Sequence, residues 1–295
     1  MRIASLRSGD LAVVVGDTLV PVGDALVREG LFRERSMLEL MARYDAVRPA
    51  LEWLAASGER APLDMASLAA PVARPSKIWA AASNYRRGAA TLDGAHGRGT
   101  APTEQPEAIL DMAFLKPPSA IVGPGEAIVI PEGAGRVFPE LELCAVIGKE
   151  AANVSLADAL DAVFGYTVIL DVTARQFGGS LSLVATRCVR KGFDTFAPLG
   201  PWLVTRDEVA DSQRLALRLA VNDQLVQVAS TDGMINGVAA LVSYLSRVTT
   251  LYPGDLIATG NPDAPEFQQP LAPGDHLAAE IEGIGTLHVG VTGTA

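Results

Sequence analysis

Short apolar runs broken by turn residues dominate the chain from about residue 77 onward. The segments KIWAAAS, EAIVIPE, LELCAVIG, FGYTVILDV, RLALRLAVND, GDLIATG, GDHLAAEIEG and GTLHVGVT are each of strand length and rich in β-branched or aliphatic residues. Gly, Pro and Asp separate them, the punctuation expected of a largely antiparallel sandwich or roll. Two stretches have helical spacing instead: GVAALVSYLSRVTTL, and SLADALDAV with Ser155 as its N-cap. The first 72 residues keep a different rhythm. LAVVVGDTLVPVGD reads as two short strands around a Gly16-Asp17 turn, and ERSMLELMARYDAVRPALEWLAAS as amphipathic helix interrupted at Pro49. A proline-punctuated crossing, GERAPLDMASLAAPVARPSK, then leads into the main part. The pattern predicts an α+β protein, mainly β with helices: a small N-terminal α/β domain over 1–72 and a β-rich main domain over 73–295.

Composition narrows the function. Hydrophobic residues make up 49% and charged residues 20%, enough to bury a large core. Lys and Arg number 24 against 34 Asp and Glu, a net charge of -10, with no basic stripe. A nucleic-acid partner is therefore not expected. No run approaches the 18 apolar residues of a membrane span, and the start lacks the apolar core of a secretory signal. Two cysteines, Cys144 and Cys188, are too few for a disulfide scaffold, and three scattered histidines do not make a zinc site. A cytoplasmic enzyme acting on a small molecule is the expectation, and the absence of G-x-G-x-x-G after a strand argues against a dinucleotide cofactor.

Three acids interrupt otherwise apolar strands: Glu140 and Glu142 in FPELELCAVIG, and Asp171 in GYTVILDVTAR. Residues two apart on a strand share a face, so Glu140 and Glu142 project together while Leu141 and Leu143 face the other way. Two carboxylates about 4 Å apart repel by roughly 4 kcal/mol at an effective dielectric near 20. Protonation or a cation must relieve that, and a hard divalent ion such as magnesium suits a site of few carboxylates. Spacing alone leaves open a second reading, the solvated face of an edge strand. Asp171, within an apolar run, tips the balance towards a metal site.

The order of motifs is itself informative. SKIWAAASNYRRG, AFLKPPSAIVGPGEAIVIP, FPELELCAVIGK, VFGYTVILDVTARQ, RKGFDTFAPLGPWLVT, YPGDLIATGNP and LAPGDHLAAEIEGIGTL follow one another from about Lys77 to the C-terminus. In this order they resemble the fumarylacetoacetate hydrolase family. The resemblance implies a mixed β-sandwich roll, usually a homodimer, with magnesium (or manganese or calcium) on a Glu-x-Glu pair and a later Asp, here Glu140, Glu142 and Asp171. It implies substrates that are small 2-oxo acids or acylpyruvate-like 1,3-dicarbonyls, cleaved or rearranged through a metal-bound enolate. Lys191, in KGFD, matches the family's catalytic lysine. Lys116, in FLKPPS, matches a lysine near the pocket; Tyr85 and Arg86, placed just after a strand end, are candidate substrate-loop contacts. Arg175, four residues past Asp171, is placed to brace a site carboxylate.

Two departures stand out. Hydrolytic relatives carry N-Y-x-x-H and then a glutamate, a pair that activates water. Here Asn84-Tyr85-Arg86-Arg87 runs into Gly88, which cannot accept a proton. The nearest histidine is His96, on a glycine-flanked loop, and it is the candidate replacement base. The family's G-T-P reads Gly260-Asn261-Pro262, so Asn261 takes the place of a threonine that contacts the substrate carboxylate. Three activities stay open: a carbon–carbon hydrolase; a decarboxylase, dehydratase or isomerase that needs no activated water; and a catalytically silent dimeric binding protein.

Overall fold

The computed structural model describes residues 1–86, 106–177, 186–262 and 269–294. Gly88 and His96 lie outside them. The expected mainly-β fold with several helices is present. One long sheet runs, in spatial order, through Ala61–Pro62, Thr18–Pro21, Leu11–Val15, Arg2–Leu6, Ala197–Thr205, Val163–Leu170, Leu141–Ile147, Leu256–Ala258, Ile78–Ala80 and Phe114–Lys116. A second sheet orders Gln224–Ser230, Ala216–Val221, His276–Ile281, Gly285–Gly293 and Ala127–Ile130. Pairing is mostly antiparallel, with parallel contacts between Leu256–Ala258 and Ile78–Ala80 and between Gly285–Gly293 and Ala127–Ile130. The sandwich is thus mixed.

Alternation along the central strand divides the core in two. Leu141, Leu143, Ala145 and Ile147 pack into the apolar layer that also holds Leu217, Leu219, Leu277 and Leu287 of the second sheet. Cys144 and Val146 point the other way, into a layer shared with Leu40, Met41, Val47 and Leu51 of the helix Met37–Ser57. Residues 1–72 supply that helix and five strands, and Arg2–Leu6 pairs with Ala197–Thr205 in the register Ile3↔Leu203. The Gly16-Asp17 hairpin forms as expected, with Val15 opposite Thr18.

Two local expectations are corrected. Pro49 does not interrupt its helix, which runs unbroken from Met37 to Ser57. A mid-helix proline costs about 3 kcal/mol. Val47 and Leu51, on either side of it, are fully buried, and each such side chain contributes roughly 1.5–3 kcal/mol, so packing on both flanks offsets the break. The segment after Ser155 is not an α-helix either. Ser155 Oγ accepts from the Asp158 N–H at 3.2 Å, capping only a turn, and a 3₁₀ turn at Ala159–Ala162 leads straight into the strand Val163–Leu170. The Ala162 carbonyl is taken by the Gly148 N–H at 2.7 Å, so sheet pairing outcompetes local helix propensity.

Asn84 staples the site to this frame. Its amide nitrogen donates to the carbonyls of Asn236 and Thr259, both at 2.8 Å, and its oxygen accepts from the Asn236 N–H at 2.9 Å. The residue is wholly buried. Asn84→Ala leaves three buried backbone groups unpaired and should lower unfolding free energy by about 2–4 kcal/mol in urea titrations. A loss under about 1 kcal/mol would show that water replaces the staple.

Candidate active site

The acidic cluster is built by strand register. Leu141 lies opposite Leu170, so the next residues outward, Glu140 and Asp171, face each other where the two strands end; the Asp171 N–H donates to the Glu140 carbonyl at 2.8 Å. Glu142, two residues along, shares the face of Glu140. Oxygens from Glu140, Glu142 and Asp171 all come within 4.8 Å of one another. Far from being a solvated edge, the Leu141–Ile147 strand is flanked on both sides, and Glu142 and Asp171 are each 1% exposed. The edge-strand reading is excluded.

Each acid is held by different groups. Glu142 accepts from the Gly260 N–H at 2.7 Å. Gly260 has φ +95°, and a Cβ there would sit 3.0 Å from Asn84 Cβ, so both conformation and space require glycine. Asp171 is gripped by two ammonium groups: Lys116 Nζ at 2.7 Å from Oδ1, and Lys191 Nζ in close contact with Oδ2. Lys191, closing the short helix Arg187–Lys191, also reaches Glu140 at 2.8 Å. Thr173 Oγ1 donates to Glu140 at 3.2 Å, and Arg175 stands 3.6 Å from the same oxygen while lying 4.5 Å over the Phe138 ring.

Burial sets the protonation pattern. It drives the Glu142 carboxyl well above the usual range, and the charge of Asp171 beside it pushes the same way. Asp171 is equally buried, yet Lys116 and Lys191 together hold it below the ordinary value. Burial disfavours the charged Lys191, but Asp171 and Glu140 outweigh that and hold its ammonium above the usual lysine value. For Lys116 burial wins over Asp171, and its value is lowered. Burial and the nearby Glu142 also raise the Cys144 thiol, leaving it an inert core group.

The donor set fits a hard divalent ion. Oxygens on one octahedral ion with bonds near 2.1 Å stand about 3 Å apart when adjacent and about 4 Å when opposite, and somewhat farther for calcium. A mutual span of 4.8 Å is close to that. Three carboxylates, two of them buried, converge within reach of one another, the all-oxygen donor set that a hard cation takes.

The remaining sequence candidates fall in different places. Lys116 is completely buried behind Asp171, donating also to the Lys191 carbonyl. Tyr85 is buried near Glu142, and its hydroxyl has no hydrogen-bond partner among the described residues. Arg86 turns to the neighbouring loop, donating from Nη1 to the Asp232 carbonyl at 3.0 Å. Asn261 and Glu140 line one cavity of about 210 Å³. Sequence reasoning passed over Thr173 and Gln227, and placed Gly260 in the G-T-P match without its hydrogen bond to Glu142. Gln227 offered a signal, an amide within the apolar strand QLVQVAS.

A mixed β roll that gathers an acidic triad at the ends of two central strands, faced by two lysines, is compatible with a divalent-ion site. Residues 77–292 match the family model described as fumarylacetoacetate (FAA) hydrolase C-terminal, and the chain belongs to the fumarylacetoacetate hydrolase family. It is 38% identical to maleylpyruvate hydrolase of Aquipseudomonas alcaligenes over 85% of either chain. It is also 38% identical to the mitochondrial oxaloacetate tautomerase fahd2 of Xenopus laevis, over 75% of this chain and 67% of that one. Among solved structures, maleylpyruvate hydrolase from Sphingobium sp. SYK-6 in complex with manganese (II) ion and pyruvate superposes with a TM-score of 0.81 at 33% identity, each chain covered completely.

A pH experiment tests the cluster's electrostatics. With a carboxyl value raised by burial, Glu142 binds its proton more tightly folded than unfolded. Its contribution to stability is therefore full below the unfolded value near 4.5 and is lost as pH rises through the folded one. Glu142→Gln should thus raise the melting temperature of the metal-free protein at pH 8 and barely change it at pH 4. An equal shift at both pH values would mean that Glu142 is not strained by burial.

Proposed function

We propose that the protein is a magnesium-dependent enzyme acting on a small 2-oxo or 1,3-dicarbonyl acid of the acylpyruvate type. The reaction is carbon–carbon hydrolysis or a related lyase or tautomerising step. The observation that carries this reading is the convergence of three carboxylates, two of them buried, beside a lysine held cationic. The manganese and pyruvate bound by the Sphingobium relative support it.

Glu140, Glu142 and Asp171 would hold the ion, and magnesium, manganese or calcium all suit oxygen donors of this kind. When bound, the ion supplies Lewis-acid charge that polarises a carbonyl and offsets negative charge developing on its oxygen. The chain's own groups supply the rest. Lys116 keeps Asp171 ionised from behind. Thr173 and Arg175 orient Glu140. Lys191 presents fixed positive charge to an oxyanion beside the triad. Asn261 and Tyr85 offer hydrogen bonds to the substrate, with Arg86 on the adjoining loop. His96 is the candidate general base.

One residue favours the reactions that need no activated water. Gly88 stands where hydrolytic relatives, by the family pattern, have histidine. A missing general base costs about 10²–10⁴-fold in rate. The tautomerase relative fits this alternative. The same reading carries a cytoplasmic homodimer with a small domain over 1–72; the free thiols of Cys144 and Cys188 suit a reducing compartment.

Product analysis decides among the reactions. With acetylpyruvate, hydrolysis gives two acids; with oxaloacetate, decarboxylation releases CO₂, whereas tautomerisation changes only the enol absorbance. Glu140→Ala and Asp171→Ala should each weaken manganese binding by more than about tenfold in titration calorimetry, as loss of a charged ligand predicts. Lys191→Met should lower kcat by about 10²-fold or more while manganese still binds. Undiminished turnover in Lys191→Met would remove it from the chemistry.

A further inference from the structure

Partners are distributed unevenly over the oxygens of the triad. Asp171 Oδ1 accepts from Lys116 at 2.7 Å, and Glu140 Oε1 faces Thr173 and Arg175 at 3.2 and 3.6 Å. Glu142 Oε2 accepts from the Gly260 N–H. The second oxygens of Glu140 and Asp171, Oε2 and Oδ2, share one partner. The Lys191 ammonium reaches the first at 2.8 Å and is in close contact with the other. One side-chain cation thus bridges two acids of the triad, as a metal ion on the same residues would.

Lys191 and Lys116 are held differently. Lys116 lies opposite Ile78 in a strand pair, with none of its side chain exposed, and its ammonium also donates to the Lys191 carbonyl. Moving it would leave a buried charge unpaired. Lys191 closes a helix of only five residues, is followed by Gly192, and keeps 10% of its side chain exposed. Its head rides on a flexible stem. The Phe114 ring stands 5.4 Å from Nζ, within cation–π range, so an ammonium leaving the carboxylates keeps an attractive neighbour. A dication bound through Oε2 and Oδ2 would lie a few ångströms from that ammonium. The lone pairs of a carboxylate allow such sharing, but like charge opposes it.

We propose that Lys191 is an exchangeable counter-ion: its ammonium holds the Glu140–Asp171 oxygen pair until a divalent ion is taken up, and then turns out of the cluster. The proposal rests on the reading of the triad as an ion site and adds an order of events to it. The positive charge that the proposed reaction needs at a substrate oxyanion is released only on the loaded protein, so ion uptake precedes productive substrate binding. Lys116 stays on Asp171 throughout.

Reductive methylation with formaldehyde and cyanoborohydride, read peptide by peptide in a mass spectrometer, follows the exchange on wild-type protein. Chelator-treated and manganese-saturated samples are compared, with calorimetry confirming that manganese binds. Labelling of Lys191 should speed up at least about tenfold on loading, as a shift from a held to a released population requires. Lys116 should stay protected in both samples, and the exposed Lys149 should label equally in both. In a second measurement, Lys191→Met should bind manganese at least about tenfold more tightly than wild type, because the competing ammonium is gone. Equal protection of Lys191 with and without manganese overturns the proposal, since ion and ammonium then share the oxygens. Ready labelling in both samples, or weaker manganese binding by Lys191→Met, overturns it too. Failure of manganese to bind wild type would sink the reading of the triad along with it.

Discussion

One cross-strand register makes everything else possible. Because Leu141 pairs with Leu170, the carboxylates of Glu140 and Asp171 meet at the ends of two central strands, and Glu142 joins them by strand alternation alone. Nothing in such a sheet relaxes easily. A one-residue slip would send Glu142 into the apolar layer that holds Leu143 and turn Leu141 towards the cations. The apolar residues of these strands therefore do more than fill the core: their alternation fixes which way the acids point.

Concentrating negative charge in the interior demands compensation, and the fold supplies it from two further elements. Lys116 comes from the edge strand Phe114–Lys116 and Lys191 from the end of a short helix, and both converge on Asp171. The consequence is a division of roles between like residues. Asp171, with two ammonium partners, stays ionised; Glu142, with one backbone N–H, holds its proton more readily. Lys116 and Lys191 divide in the same way, one with its charge weakened by burial and the other with its charge reinforced by two carboxylates. Such pairs, pushed apart by their surroundings, are what a site needs to be both charged and responsive at neutral pH.

Legibility from sequence followed the range of the interaction. Strand positions and the sandwich class were readable because period-two alternation and turn residues are local signals, and all eight apolar runs of the main part do form strands. The acids Glu140, Glu142 and Asp171 stood out because charge in an apolar run is costly and therefore informative. Where tertiary packing overrode local preference, reading failed. Pro49 sits inside a continuous helix because both flanks are buried, and the segment after Ser155 gives way to sheet pairing. The roles of Thr173 and Gly260 were unreadable for another reason: each acts through a partner far away in the chain, which no local pattern encodes.

Asn261 shows how a departure from a family pattern can be absorbed. A threonine offers one hydroxyl, whereas the asparagine amide needs partners at both ends. Here the Leu141 N–H satisfies its oxygen, and Gln227 stands within hydrogen-bond distance. Leu141 also fixes the register of the acidic pair through Leu170. A residue lining the cavity and the strand that sets the acids are thus tied to the same backbone position. A change at 261 would be felt at Glu140 as well as at Gln227. This cavity wall and the charged cluster are therefore mechanically one unit, and a substitution in either is constrained by the geometry of the other.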